Sequence, residues 1–372
     1  MMKILHLCKF YPPIEGGIEI ISKFIVDSMP EDKHIVLSFN TANFTVKTGD
    51  QRVKVIRAGM FGMLASQPLS LRYLRELKRA IRKHKPEVVH IHWPNPLAAL
   101  YLLNQKKDFK VVVHWHSDIF GHGVLRHLTT LSIEKRLLKT ADAIIATSQS
   151  YLDESPALKK YRNKVRVIPC SIDERNLDLK SYEKEKVAAI KEKYGNKKIV
   201  FFIGRHVKYK GLEYLLEAEK RVKSDCVFLI AGEGPLTENL QNEYQSDRVH
   251  WLGRISEPEK RLYLQAADVF AFPSITPNEA FGVALLEAMY CGCAPVTFTI
   301  PKSGVNWVSV KNQTGLEAEN SNYKQFAGAV DYLLQNDELR MRLVSNAGRR
   351  VREMFTSKVV AGQYRDFYNK LL

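Results

Sequence analysis

In the stretch "TPNEAFGVALLEAMYCG", residues 276–292, Glu279 and Glu287 stand eight residues apart on either side of Gly282. Pro273 and Pro277 bound a loop, and Val283, Leu286 and Met289 with a stop at Gly292 predict a helix over "FGVALLEAMYCG". On a helix rising about 1.5 Å per residue, carboxylates eight apart are separated by roughly 12 Å. An acid/base pair acting on a glycosidic bond needs only about 5–9.5 Å, so the spacing disfavours hydrolysis. A nucleoside diphosphate sugar fits better, because it carries hydroxyls at both ends. One carboxylate would hold the sugar and the other the ribose. Between them the helix N-terminus around Phe281 and Gly282 offers free N–H groups to a diphosphate, and Gly282 has no side chain to keep it away. Spacing alone also admits a plainer reading, with Glu279 a polar helix start and Glu287 a solvated helix position.

A second set of residues strengthens the diphosphate reading. In "FFIGRHVKYKG", Arg205 and Lys210 follow an apolar strand in a loop closed by Gly211. A guanidinium fork and an ammonium are the usual phosphate binders. Together they would offset the charge of a departing diphosphate.

These loops need a scaffold. Short apolar runs alternate with amphipathic segments in both halves, which predicts an α/β chain of βα units on doubly wound parallel sheets. In the first half the strands are "KILHL", "HIVLSF", "RVKVIR", "EVVHIH", "KVVVHW", "AIIATS" and "KVRVIP"; in the second, "IVFFIG", "CVFLIAG", "VHWLG", "VFAFP" and "APVTFT". The 372 residues suit two domains. The expected division is 1–175, a polar linker at 176–197, a second domain at 198–355, and a final helix at 356–372 packing back on the first. No G-x-G-x-x-G follows a strand and no G-x-x-x-x-G-K-[ST] occurs, against dinucleotide binding and P-loop chemistry. The five cysteines form no CxxC pair, so neither a zinc site nor a disulfide frame is expected.

Charge is uneven. Residues 1–180 hold 29 Lys+Arg against 17 Asp+Glu, and the rest 27 against 23. Such a surplus implies an anionic partner for the first half. "LRYLRELKRAIRKHKP" would put Leu71, Leu74, Leu77 and Ile81 on one helical stripe and Arg72, Arg75, Arg79 and Arg82 on another face. An anionic membrane surface is the expected partner, at about 1 kcal/mol per basic residue, and "GHGVLRHLTTLSIEKRLLKT" (121–140) is a second basic amphipathic segment. Stacking aromatics do not interleave with the basic positions, so nucleic acid is not expected. No apolar run reaches the roughly 18 residues of a spanning helix. A peripheral protein on the cytoplasmic face of the inner membrane is the expectation.

Five motifs in order resemble the retaining glycosyltransferases of family 4. They are "GGIE" (16–19), "HWHSD" (114–118), the "GR…KG" of 204–211, "AGEGP" (231–235), and "EAFGVALLE" followed by "AMYCGCAPV". The resemblance covers most of the chain. It implies the GT-B fold, two Rossmann-like domains facing each other across a cleft. It implies that Glu279 binds the donor sugar and Glu287 the ribose, and that Arg205 and Lys210 grip the diphosphate with the amides of Phe281 and Gly282. Gly17, beside Gly16, would close on the phosphates and shape the acceptor pocket. His116 would contact the donor sugar or its reacting centre, and Asp118 would help position the acceptor. Retention without a carboxylate nucleophile is implied, as is independence of metal; no D-x-D is present. The chain departs from the family at "KSGVNWV", with Ser303-Gly304 where Gly-Gly is frequent, and at Ala280. "HIHWPNPLA", "HWHSDI" and "SGVNWV" most resemble enzymes that build bacterial surface polysaccharides, often mannosyltransferases. A hexose donor, GDP-mannose before a UDP-sugar, and a lipid-linked saccharide acceptor are then expected. A nucleotide-sugar epimerase and a non-catalytic nucleotide-sugar-binding subunit are the alternatives.

Overall fold

A computed structural model describes residues 1–14, 16–64, 67–118 and 124–372, with backbone alone over 124–130. The chain divides into two units, Met1–Pro169 with Val360–Leu372, and Cys170–Val359.

The first unit is built on a sheet of eight strands: β1 (Lys3–Leu7), β2 (Lys33–Phe39), β3 (Val46–Gly49), β4 (Val53–Ala58), β7 (Val88–Trp93), β8 (Lys110–Trp115), β9 (Ala143–Ala146) and β10 (Val165–Val167). A two-stranded hairpin, β5 (Gly62–Leu64) with β6 (Gln67–Leu69), stands apart from it. The order is β10-β9-β8-β7-β1-β2-β4-β3, parallel except for the edge strand β3. Every predicted strand of this half is present; β3, β5 and β6 were not anticipated. Alternation along β7 and β8 sends Ile91, Trp93, Val113 and Trp115 into one apolar layer, where the two indoles stack at 5.5 Å. The other face carries Ile4, Val88 and Val112, covered by Val360, Tyr364 and Tyr368 of the last helix.

The second unit has six parallel strands: β11 (Lys198–Ile203), β12 (Cys226–Ala231), β13 (Val249–Gly253), β14 (Val269–Phe272), β15 (Ala294–Phe298) and β16 (Leu316–Ala318). Their order is β13-β12-β11-β14-β15-β16. The segment 176–197, expected as a linker, is folded into this unit. It carries the helix Lys184–Lys193, and its Glu183 is buried in an ion pair with Arg261. The polar composition that suggested a linker belongs to a surface helix, of which no residue is buried.

The basic helix Leu71–His84 forms, but its buried side is rotated from the expected stripe. Tyr73, Glu76, Leu77 and Ala80 face inward, and Leu71 is 71% exposed. Buried Glu76 is held by Lys47 at 2.7 Å and Arg79 at 3.1 Å, which explains how a carboxylate occupies an inward position. Of the second basic segment, 121–123 lie outside the described residues, and the helix runs Val124–Thr140. No helix among the described residues is long and apolar enough to cross a membrane.

Candidate active site

β11 and β14 are neighbours at the centre of the second sheet, and the chain order departs to β12 on one side and β15 on the other. Loops leaving such a pair diverge and open a crevice at the strands' carboxyl ends. Here they are 204–211 and 273–282, the two segments singled out by residue type. They touch closely. Gly211 has φ 64° and a Cβ there would lie 2.0 Å from the Pro273 carbonyl oxygen, and Ile275 N donates to Tyr209 O at 2.9 Å.

Lys210 and Glu279 meet across this junction in an ion pair. Ser274 Oγ donates to Glu279 Oε2 at 3.2 Å, and the Ser303 hydroxyl donates to the Glu279 carbonyl. The Lys210 ammonium also lies 5.4 Å from the Phe272 ring centroid. Burial opposes the Lys210 charge, but Glu279 and then Tyr209 outweigh it and raise its pKa. Arg205 is exposed and makes no ion pair among the described residues. It is therefore available to an anion.

The helix after this loop is Val283–Cys291, with Gly282 at its N-cap and no capping side chain. Gly282 has φ 91°, a left-handed turn that glycine adopts without penalty. Leu285 N and Leu286 N donate to Gly282 O at 3.0 and 3.2 Å, and among the described residues the amides of Val283 and Ala284 are open. The Phe281 ring is buried against Trp307 and Phe355, so its side chain anchors the turn. Glu279 precedes the helix rather than lying on it, so helical rise does not span the two glutamates.

Glu287 sits on that helix, and Lys260 Nζ donates to its Oε1 at 2.8 Å while also pairing with Glu257 at 2.7 Å. Burial pushes the Glu287 carboxyl up, with Lys260 pulling against it. Glu287 Oε2 is unpaired among the described residues. Lys260, Ser274 and Ser303 were not identified as site residues from sequence; nothing in their spacing ties them to the two glutamates.

In the first unit, Gly16 is the extended N-cap of the helix Gly17–Ser28. Gly17 is exposed, and a Cβ on it would meet no atom within 4 Å. Packing does not require glycine at 17. Asp118 is engaged: its Oδ1 accepts from Trp115 Nε1 at 2.9 Å and Ser155 Oγ at 3.0 Å. These bonds tie Asp118 to β8 and to Ser155. Nearby Glu134 is pushed up to about 7, by burial and then by Asp118.

His116 follows β8 and is 4% exposed. Burial drives its pKa down to about 3, which removes the proton-transfer role that histidine's ordinary pKa allows. It belongs to a row that sequence reading missed. His6, His34, His90, His92 and His114 are all buried on the same face of the sheet. The signal was present in "VVHIHW" and "VVVHWH", where histidines recur at the two-residue period of a strand, with single histidines in "KILHL" and "HIVLSF". Rings pair edge to edge, His6 Nε2 with His34 Nδ1 and His92 Nδ1 with His116 Nε2, each at 3.0 Å. Others stack, His90 on His92 at 4.7 Å and His114 on His116 at 4.0 Å. Nitrogens of His92, His114 and His116 lie within 4.8 Å of one another, as do those of His6, His90 and His92.

Residues 183–350 match the family model described as glycosyl transferases group 1, and residues 16–176 match that of glycosyltransferase family 4. Over 96% of its length the chain is 30% identical to the D-rhamnosyltransferase WbpZ of Pseudomonas aeruginosa, of which it covers 93%. The chain belongs to the glycosyltransferases. This glycosyltransferase is also 28% identical to the O-antigen chain mannosyltransferase C of Escherichia coli, over 100% of its own length and 99% of that protein. The epimerase and binding-subunit readings fall away. Among solved structures it resembles a sucrose-phosphate synthase from Thermosynechococcus elongatus, with a TM-score of 0.82 and 21% identity over 100% of this chain and 99% of that one. HepE of Anabaena in complex with UDP gives 0.77 and 18% over 99% and 100%. These likenesses place the glycosyltransferase in the GT-B fold.

Proposed function

We propose that this glycosyltransferase moves a hexose, with retention of configuration and without a metal ion, from a nucleoside diphosphate sugar to a lipid-linked saccharide during surface polysaccharide synthesis. GDP-mannose is the favoured donor, with a UDP-sugar second. The observation that carries this reading is the Lys210–Glu279 pair beside the open start of the Val283–Cys291 helix. A donor would present its sugar hydroxyls to Glu279, its diphosphate to the open amides, Lys210 and Arg205, and its ribose to the unpaired oxygen of Glu287. The two cations and the helix start supply the charge that a metal would otherwise bring. In the transfer, the bond from C1 to the diphosphate oxygen breaks. The acceptor oxygen bonds C1 on the same face, and its proton passes to the departing phosphate oxygen. His116 contributes a hydrogen bond to the donor sugar. Gly17 leaves room for the phosphates, Gly16 extends the loop beside it, and Asp118 holds the loop next to the acceptor.

A mannose-type donor is supported by the relatives, one named for mannosyl and one for D-rhamnosyl transfer. D-rhamnose is mannose without its 6-hydroxyl, so both are manno-configured. Docking on an anionic membrane at the cytoplasmic face is supported by the exposed Arg72, Arg75, Arg79 and Arg82. Phe61, Met63 and Leu64 on the neighbouring hairpin are also exposed. The test is transfer from GDP-[14C]mannose to lipid-linked acceptors in anionic vesicles with EDTA present. An α-linked, lipid-extractable product supports the reading. A β-linked product, or activity only with added divalent metal, contradicts it.

A further inference from the structure

We infer that Ser303 is a positioning residue for the transferred sugar: its hydroxyl, donated to the Glu279 carbonyl, turns the amide of the same peptide, Ala280 N–H, towards the sugar that Glu279 binds. The inference rests on the proposed assignment of Glu279 to the donor sugar.

Strand order sets the geometry. β14 lies between β11 and β15, so the loop 273–282 has the loop after β11 on one side and the segment after β15 on the other. It is fastened on both. On the β11 side Ile275 N donates to Tyr209 O at 2.9 Å, and Lys210 meets Glu279. On the β15 side the Ser303 hydroxyl donates to Glu279 O, and Gly304 N donates to Ala280 O at 2.8 Å. Ser303 is buried, and its Oγ also accepts from Val305 N at 3.2 Å, which holds the hydroxyl in place. The rest of "SGVNWV" is anchored too. Asn306 Oδ1 accepts from Ile300 N at 2.7 Å, and Arg350 donates to Trp307 O at 2.7 Å and to Val308 O at 3.1 Å.

In a planar trans peptide the C=O and N–H point in opposite directions. The Glu279 carbonyl shares its peptide with Ala280 N–H, and the Ala280 carbonyl shares its own with Phe281 N–H. Both carbonyls are drawn to the β15 side, so both amides are turned to the β11 side, where the Lys210–Glu279 pair lies. Among the described residues neither amide has an acceptor. Ala280 is half-buried and Phe281 buried, so Ala280 is the more accessible of the two. An amide only donates and a carboxylate only accepts, whereas a sugar hydroxyl does both. Glu279 and Ala280 N–H, adjacent in the chain, therefore form a complementary pair for a sugar hydroxyl. Donation by Ser303 also polarises the peptide it bonds, which strengthens the N–H at its other end. Without that hydroxyl the Glu279 carbonyl loses its partner and the peptide its fixed orientation.

The experiment is titration calorimetry of the wild type, Ser303→Ala and Glu279→Gln with GDP-mannose and GDP, and with UDP-glucose and UDP alongside. For the pair that binds, Ser303→Ala is expected to weaken the sugar nucleotide about fivefold, the scale of one hydrogen bond, and to leave the free nucleotide unchanged. A purely structural role would weaken both alike. Equal losses, or an unchanged affinity for the sugar nucleotide, therefore overturn the inference. If Glu279→Gln weakens the sugar nucleotide no more than the nucleotide, the sugar assignment of Glu279 fails, and the inference falls with it. If the wild type binds none of these ligands, the nucleotide-sugar reading itself fails. Should Ser303→Ala not fold, 15N-alanine-labelled wild type decides. Its Ala280 amide proton, assigned with Ala280→Gly, is expected further downfield with the sugar nucleotide than with the nucleotide. The same position with both overturns the inference.

Discussion

Lys210 and Glu279, separated by 69 residues, form an ion pair where β11 and β14 release their loops. Neither side chain is more than 15% exposed, so removing one partner would leave a buried group unpaired. Lys210→Met is expected to lower turnover by about 10²–10³-fold, the range for loss of one electrostatic contact to a developing charge. Because the two act as a unit, Lys210→Met/Glu279→Gln should cost little more than the single change. Steady-state kinetics of the four proteins check this; fully additive losses would show that the residues act separately.

Lys260 holds the Glu287 carboxyl down against its burial. Lys260→Met should therefore raise the Glu287 pKa further, protonating a larger fraction near neutrality. Sugar-nucleotide affinity in this variant should rise with pH across 6–8, while the wild type changes less. Calorimetric dissociation constants at three pH values suffice. An equally flat pair of profiles would separate Lys260 from the carboxylate's function.

Gly282→Ala should be costly on two counts. A Cβ at φ 91° would stand 3.3 Å from the Phe272 ring, and left-handed backbone costs a non-glycine residue about 1–2 kcal/mol. The second unit should lose roughly 2–8 °C in Tm at about 2–4 °C per kcal/mol, and nucleotide affinity should fall with it. Differential scanning calorimetry with and without nucleotide measures both.

The histidine row makes the first unit sensitive to acid. Burial lowers the pKa values of His6, His34, His90, His92, His114 and His116 below the ordinary 6.5. Below about pH 6.5 the unfolded chain binds more protons than the folded one, so stability falls with pH. It is fully present above 6.5 and drains as pH drops towards the folded values. The losses add across the row, so the first unit should weaken steeply as pH falls below 6.5. Urea unfolding followed by histidine NMR resonances between pH 7.5 and 5.5 should show a steep fall in the first unit. A midpoint that does not move would mean that protons are absorbed without breaking the row.

The parallel strands were legible because strands covered on both faces read as unbroken Val, Ile and Phe runs. The edge strand β3, "VKTG", and β16, "LEA", lack such runs, since only one neighbour and one face constrain them. The helix Leu71–His84 was legible as a helix, but its leucines suggested the wrong inward side. Tertiary ion pairs from Lys47 and Arg79 allow Glu76 to be buried, and such partners come from distant parts of the chain. Glu279 and Glu287 were visible by type and spacing, whereas Lys260 was not, being 27 residues from its partner. Histidines spaced by two were on view in two strand segments and single histidines in two more. Their common face emerges only when β8, β7, β1 and β2 are set side by side.

Titration calorimetry of the wild type and Glu287→Gln with GDP, UDP and ADP tests the central claim, a nucleotide-sugar site built on the Val283–Cys291 helix. The account predicts that one nucleotide, GDP foremost, binds the wild type, and that Glu287→Gln weakens it at least tenfold, about 1.4 kcal/mol. Binding of none of the three, or equal affinity in the variant, would contradict it.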